Sequence, residues 1–264
     1  MIEITSSKNS LIKEIKSLHR RKERWESKSY IIEGIKIIEE ALSNNIALKN
    51  IIYCDKLLLT KDGQDFFEKI RNFENLVHVP ESIFNEIKDT ENPQGIIGIT
   101  CFKLRDTEDI FSVENPFLLY LDGVQDPGNM GTIIRSGDAF NIDGIILGQG
   151  SVDPYNPKVI RSTMGSIFRV PLYFVYDIYP YYDRLRKNNI SIFSTSLEGS
   201  VPIYDVDYKT GFIMVIGNES KGVSNDLIAL SSKLIKIPMP GFAESLNAGV
   251  AASIIMYEAM RARG

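Results

Sequence analysis

The segment Leu121 to Arg135, LDGVQDPGNMGTIIR, restricts the folds open to this chain more than any other stretch. An apolar run, Phe117 to Leu121, ends in Asp122 and Gly123. A turn-rich Asp126-Pro127-Gly128-Asn129 follows, and then an apolar-periodic run with Met130, Ile133 and Ile134. This is a strand, a loop and a helix start, with polar groups gathered at the carboxyl end of the strand. In an open α/β sheet, ligands sit at that end. The pattern continues downstream. Strands are expected at 117–121, 143–147, 168–173, 190–194, 212–216 and 233–237, with helices at 129–140, 156–164, 177–188, 224–231 and 246–262. Continuous apolar strands such as IILG and FIMVIG suit a parallel sheet buried on both faces.

The first hundred residues read as a smaller α/β domain, residues 1–104. Strands are expected at 29–32, 48–54, 76–79 and 95–102, and helices at 35–42, 65–73 and 81–87. A helix over 10–24, N-capped by Ser10, opens the domain with Leu11, Ile15 and Leu18 on one face. Between Lys8 and Lys28 there are eight basic and three acidic residues, in a chain whose net charge is −4. That segment is either a solvated helix face or a local phosphate-binding patch, acting by counterion release from RNA. Residues 105–115 are polar and end before Pro116, which suggests an interdomain linker. The second domain then runs over 116–264.

The only histidines are His19 and His78, and Cys54 and Cys101 are the only cysteines. Ser-His-Asp or Cys-His chemistry is therefore unavailable near the central loop, and no zinc-ligand spacing occurs. Two distant cysteines form no disulfide framework, which suits a cytoplasmic location. No apolar run approaches the ~18 residues of a membrane span, and the start, MIEITSSKNS, is not expected to be a signal peptide.

Small and polar residues cluster after three strands of the second domain: the opening stretch, Ile216 to Gly222 (IGNESKG), and Ile237 to Asn247 (IPMPGFAESLN). In a parallel sheet all three would meet at one edge. Each glycine alone is read as well by an ordinary turn. There is no P-loop signature. Gly148-Gln149-Gly150 follows a strand, but Asp153 stands where a dinucleotide fingerprint needs a third glycine.

Taken together, Asp126 to Arg135 (DPGNMGTIIR), Ile216 to Gly222, and Ile237 to Ala251 followed by Tyr257-Glu258 resemble the three motifs of the SpoU/TrmH family of RNA 2′-O-ribose methyltransferases, in the SPOUT superfamily. Tyr30 to Gly34 and the basic helix more loosely resemble the RNA-binding domain that often precedes it. The resemblance implies an α/β SPOUT domain with a mostly parallel sheet and a deep trefoil knot, S-adenosyl-L-methionine as cofactor, no metal, and a homodimer with the active site near the subunit interface. By motif position it implies a catalytic set of Asn129, Arg135, Glu219, Ser245 and Asn247. For the cofactor it implies Thr195, Leu197, Gly217, Asn218, Gly222, Ile237, Met239 and Leu246. For RNA it directs attention to Lys13, Lys16, Arg20, Arg21 and Arg24. The third motif departs from the family in carrying Ala248-Gly249 where a valine-serine pair is usual, which puts the packing of the last helix in question.

The implied reaction needs a ribose hydroxyl deprotonated and aligned, without a metal. In this family the motif-one arginine is favoured as proton acceptor or activator. A guanidinium resists deprotonation, so holding an RNA phosphate and stabilising a developing alkoxide is the physically easier role for Arg135. Asn129 and Glu219 are expected to orient the arginine and the loops. Large-subunit rRNA is the expected substrate and tRNA the nearer alternative. A non-catalytic RNA-binding or ribosome-assembly factor and a nucleotide-dependent oxidoreductase are the rival classes, and the latter lacks its fingerprint.

Overall fold

The computed structural model describes residues 2–198 and 201–264. The chain divides into two units: Met1–Lys103 with Tyr155–Phe168, and Leu104–Pro154 with Arg169–Gly264. The first is therefore discontinuous in sequence. The segment expected as a helix over 156–164 within the second domain forms one at Pro157–Thr163, but it groups with the N-terminal unit.

In the first unit a five-stranded sheet carries β1 (Ile2–Glu3), β2 (Ser29–Glu33), β3 (Leu48–Tyr53), β4 (Leu76–His78) and β5 (Ile96–Cys101), in the order β1-β4-β3-β5-β2. β5 runs antiparallel to both neighbours. Helices α1 (Ser10–Leu18), α2 (Arg21–Ser27), α3 (Ile35–Ser43), α4 (Lys61–Ile70) and α5 (Glu81–Ile87) complete it. Tyr155, from the inserted segment, stacks on Phe102 at 3.9 Å between ring centroids and also meets Tyr30 and Trp25. Glu33, from the Tyr30–Gly34 element, accepts hydrogen bonds from the Asp89 N–H at 2.7 Å, the Thr90 N–H at 3.3 Å and the Thr90 hydroxyl. Its work here is to fix the turn after α5.

The expected single helix over 10–24 is two helices, and the N-cap is Asn9, whose side chain accepts from the Leu11 N–H. The break falls at Arg20, which has extended backbone dihedrals. Arg24 explains how the break is tolerated. It is buried, and its Nη1 donates to the carbonyls of Leu18 and His19, each at 2.9 Å. A guanidinium thus satisfies acceptors that the end of α1 leaves without helical partners. Arg24 is therefore removed from the expected RNA-facing set. Lys16 pairs with Glu86, Arg20 pairs with Glu23 at 3.1 Å, and Arg21 lies over Trp25 at 5.9 Å. Lys13, Arg20 and Arg21 are exposed.

The second unit holds a seven-stranded sheet of β6 (Phe117–Asp122), β7 (Gly144–Leu147), β8 (Leu172–Phe174), β9 (Ser191–Thr195), β10 (Val201–Pro202), β11 (Phe212–Gly217) and β12 (Lys233–Lys236), in the order β10-β12-β9-β11-β6-β7-β8. Every pairing is parallel, as the continuous apolar strands imply. Between and after the strands lie α6 (Pro127–Ala139), α8 (Tyr182–Lys187), α9 (Asn225–Leu230) and α10 (Ala248–Arg263); α7 is the Pro157–Thr163 helix of the first unit.

Three departures have local causes. β8 starts after Pro171, which has no N–H for the ladder, so the expected strand over 168–173 shrinks to its end. The first half of the expected helix over 177–188 is replaced by an Asp177 side-chain turn onto the Tyr179 N–H (2.9 Å) and a 3₁₀ turn holding Pro180, and the second half forms α8. The expected linker belongs to the second unit. Ile110 is buried there, and Arg184 pairs with Glu108 and lies 3.9 Å over the Phe111 ring.

Replacing Arg24 with alanine should lower the unfolding free energy by roughly 1–3 kcal/mol, because the buried Leu18 carbonyl and the part-buried His19 carbonyl lose their donor. Urea denaturation measures this. A variant as stable as the parent would return Arg24 to the surface set.

Candidate active site

The register of the sheet assembles the site. Gly217 pairs with Asp122, Val215 with Ser194, and Ile235 with Thr195. The carboxyl ends of β6, β9, β11 and β12 therefore meet at one edge. The chain leaves β6 toward β7 and β8 on one side, while β9 and β12 lie on the other beyond β11. That reversal is where open α/β sheets hold ligands.

A cavity of about 760 Å³ opens at this edge. Its lining contains all eight residues of the expected cofactor set: Thr195, Leu197, Gly217, Asn218, Gly222, Ile237, Met239 and Leu246. It also contains Asn129, Glu219, Ser245 and Asn247. Residues the sequence reading did not single out, among them Glu198, Ile228, Lys236 and Ala251, complete the wall. Lys236 ends β12, Ile228 and Ala251 lie on helices and Glu198 lies in the turn after β9, and the motif comparison assigned none of these four a role. Arg135 is the one residue of the expected catalytic and cofactor sets outside the lining. It is exposed on α6 and makes no side-chain hydrogen bond or ion pair among the described residues.

Glu219 joins the first two motifs. Its Oε1 accepts from the Asp126 N–H at 3.1 Å and Asn129 Nδ2 at 2.9 Å, and its Oε2 accepts from the Gln125 N–H at 3.2 Å. Asp126 in turn caps α6 by accepting from the Asn129 N–H at 2.8 Å. Burial pushes the Glu219 carboxyl up. The bonds from Asn129 and from the backbone of the 125–126 turn outweigh that and hold it below the usual carboxylate range. Glu219 and Asn129 thus tie the β11 loop to the start of α6, and they make no bond to Arg135.

The β11 loop is a closed hairpin. Asn218 and Gly222 exchange backbone hydrogen bonds at 3.0 and 2.9 Å. The Asn218 carboxamide donates to the Gly123 carbonyl at 2.7 Å and accepts from the Ser220 and Lys221 N–H groups, both at 3.0 Å. Gly217 makes this closure possible, since a Cβ there would lie 2.2 Å from the Gly222 carbonyl carbon.

The third loop runs without strand or helix over 237–247 and ends at Asn247, whose side chain caps α10 by accepting from the Val250 N–H at 3.2 Å. α10 packs on α6. Gly249 faces Thr132, and a Cβ there would sit 3.1 Å from the Thr132 Cβ. The Ala248-Gly249 departure therefore fits the close approach of the two helices. Among the described residues no group of three His, Cys, Asp or Glu side chains converges to hold a metal ion, and no helix is long and apolar enough to cross a membrane.

A parallel sheet with a loop-built cavity at its reversal point defines a small-ligand-binding α/β domain. Residues 116–257 match the model of the SpoU rRNA Methylase family, and residues 9–98 match the MRM3-like substrate binding domain. The chain belongs to the SpoU rRNA methylase family. It is 33% identical over 257 residues to 23S rRNA (guanosine(2553)-2′-O)-methyltransferase RlmP of Bacillus subtilis, covering 97% of this chain and 98% of that one. The AdoMet-bound rRNA methyltransferase from Sinorhizobium meliloti superposes with a TM-score of 0.85 at 32% identity, covering 98% and 97% of the two chains. The SpoU methyltransferase AviRb from Streptomyces viridochromogenes, in complex with AdoMet, gives 0.85 at 27% identity, covering 97% and 98%.

Two outcomes are expected. Gly217→Ala should abolish ligand binding in the cavity, at a stability cost of roughly 1–3 kcal/mol for overpacking, seen by calorimetry and melting. For Glu219, a depressed folded pKa means stabilisation present above the unfolded value, near 4.3, and lost as pH falls through the folded one. Glu219→Gln should therefore be less stable than the parent at pH 7, with the gap closing below about pH 4. A gap that does not narrow at all as pH falls below about 4 would contradict the assigned role of the carboxylate.

Proposed function

We propose that this protein is an S-adenosyl-L-methionine-dependent RNA methyltransferase acting on a ribose 2′-OH of large-subunit rRNA. The observation that carries the reading is the convergence of the three motif loops on one cavity, in a chain of the SpoU family. The relatives named as 23S rRNA 2′-O-methyltransferases support the substrate class.

The cavity suits the cofactor. Its volume falls within the roughly 300–1,000 Å³ of small-ligand sites. Its wall combines loop backbone with apolar side chains, Leu197, Ile237, Met239 and Leu246 among them, which fits an adenosine flanked by a thioether-like chain. When bound, S-adenosyl-L-methionine supplies an electrophilic methyl group on a sulfonium. Thr195, Gly217, Asn218 and Gly222 would hold it through the hairpin and the β9 end. Asn218 is kept in place by its bond to Gly123. Ser245 and Asn247 stand at the mouth of the third loop. Arg135 would bind the RNA phosphate beside the target ribose and offset negative charge gathering on the 2′-oxygen, in a site where Asn129 and Glu219 stiffen the base of its helix.

The finer architecture follows the same reading. The packing of α10 on α6 supports the deep trefoil knot that the family motifs imply. α10 exposes Val250 (45%), Tyr257 (51%) and Met260 (38%) at helical spacing. With Arg135 exposed on the neighbouring helix, this face supports a homodimer that brings the arginine and the cavity of two copies to one boundary. The protein works in the cytoplasm on RNA, which the first unit engages through Lys13, Lys16, Arg20 and Arg21, without a metal.

Incubation with labelled S-adenosyl-L-methionine and unmodified 23S rRNA should place the label on one ribose, mapped by primer extension. Transfer to tRNA alone would change the substrate, and no transfer to any RNA would remove the enzymatic reading. Arg135→Ala should lose methylation while its melting temperature and cofactor affinity stay near those of the parent. Substituting glutamine for both Lys13 and Arg21 should weaken RNA binding and lower the salt slope by about one for each phosphate no longer neutralised. An unchanged slope would reduce that face to solvated charge.

A further inference from the structure

Four charged side chains line the cavity: Glu198, Glu219, Lys221 and Lys236. Glu219 is committed to the 125–129 turn. Lys221 is exposed near the tip of the hairpin. Lys236 differs from both. It is the last residue of β12, paired through its backbone with Pro202, and it follows Ile235, which is 1% exposed in the core. Strand alternation turns the Lys236 side chain to the face opposite Ile235. The residue is half-buried and makes no ion pair or side-chain hydrogen bond with any described residue. The partly covered stem leaves an unpaired cation in the cavity wall, where a ligand anion would gain a charge-assisted hydrogen bond.

We propose that the Lys236 ammonium binds the α-carboxylate of S-adenosyl-L-methionine and so sets the direction in which the cofactor lies. The inference rests on the cofactor reading given above. The carboxylate is the cofactor's only anion, beside a sulfonium and an α-ammonium. A cation fixed to a strand end can attract only that group and repels the other two. Placing the carboxylate at Lys236 therefore orients the whole molecule, with the adenosine left to the apolar wall of Ile228, Leu246 and Ala251.

The test compares two ligands by calorimetry, S-adenosyl-L-methionine and its decarboxylated analogue, on the parent, Lys236→Met, Lys236→Arg and Lys221→Met proteins. Their melting curves serve as the folding control. In the parent, the intact cofactor should bind about tenfold more tightly than the analogue, the change a charge-assisted hydrogen bond brings. Lys236→Met should erase that preference by weakening only the intact cofactor, Lys236→Arg should restore most of it, and Lys221→Met should leave it in place. Equal weakening of both ligands by Lys236→Met, or no weakening of either, overturns the proposal. So does a preference that vanishes in Lys221→Met, which would assign the carboxylate to the hairpin. If the parent binds neither ligand, the cofactor reading itself fails, an outcome separate from those three.

Discussion

The site depends on one carboxylate. Glu219 sits at the start of a hairpin after β11, and its three donors sit at the start of α6, some ninety residues earlier. The parallel pairing of β6 with β11 makes this reach possible by setting Asp122 beside Gly217. The carboxylate draws in the 125–126 backbone and the Asn129 carboxamide, and so ties the two loops together. Asn218 adds a second tie, to Gly123. The polar groups at the base of the cavity are thereby satisfied within the protein. The strand ends and the third loop are left to meet a ligand.

Much of this was legible in the sequence, for definite reasons. Apolar runs long enough to be buried on both faces marked parallel strands, whereas the helix expected from 129 starts two residues earlier, at Pro127 behind the Asp126 cap, because Pro at a first helical position needs no N–H partner and the turn signals hid that start. The eight cofactor positions carried over by motif all line the cavity. Lys236 and Glu198 were not legible. They lie on or beside strand ends, where nothing in the local pattern separates a cavity-facing charge from a solvated one. Arg135 shows the converse. Its motif position named it, but within one copy of the chain its helix presents it to solvent rather than to the cavity.

In the first unit, charge counting was the weaker guide. A count treats every guanidinium as surface, yet Arg24 serves as a buried cap for α1 and keeps the chain in register at the bend. Composition cannot tell these apart, because both uses follow from the same five donors. The Tyr30–Gly34 element was likewise visible as punctuation but not as an anchor. Only the fold brings Glu33 to Asp89 and Thr90, more than fifty residues away.

The stacking of Tyr155 on Phe102 shows where evolutionary and physical boundaries part company. The family stretch that begins at residue 116 includes residues 155–168, which nevertheless complete the hydrophobic interior of the N-terminal unit. A fragment ending near residue 104 would lack an aromatic ring its own core was shaped around. A graft of residues 116–257 onto a foreign substrate-binding domain would carry an orphaned aromatic strap. The substrate-binding half is thus not a detachable module. An exchange between relatives has to move both pieces together to keep the Tyr155–Phe102 stack.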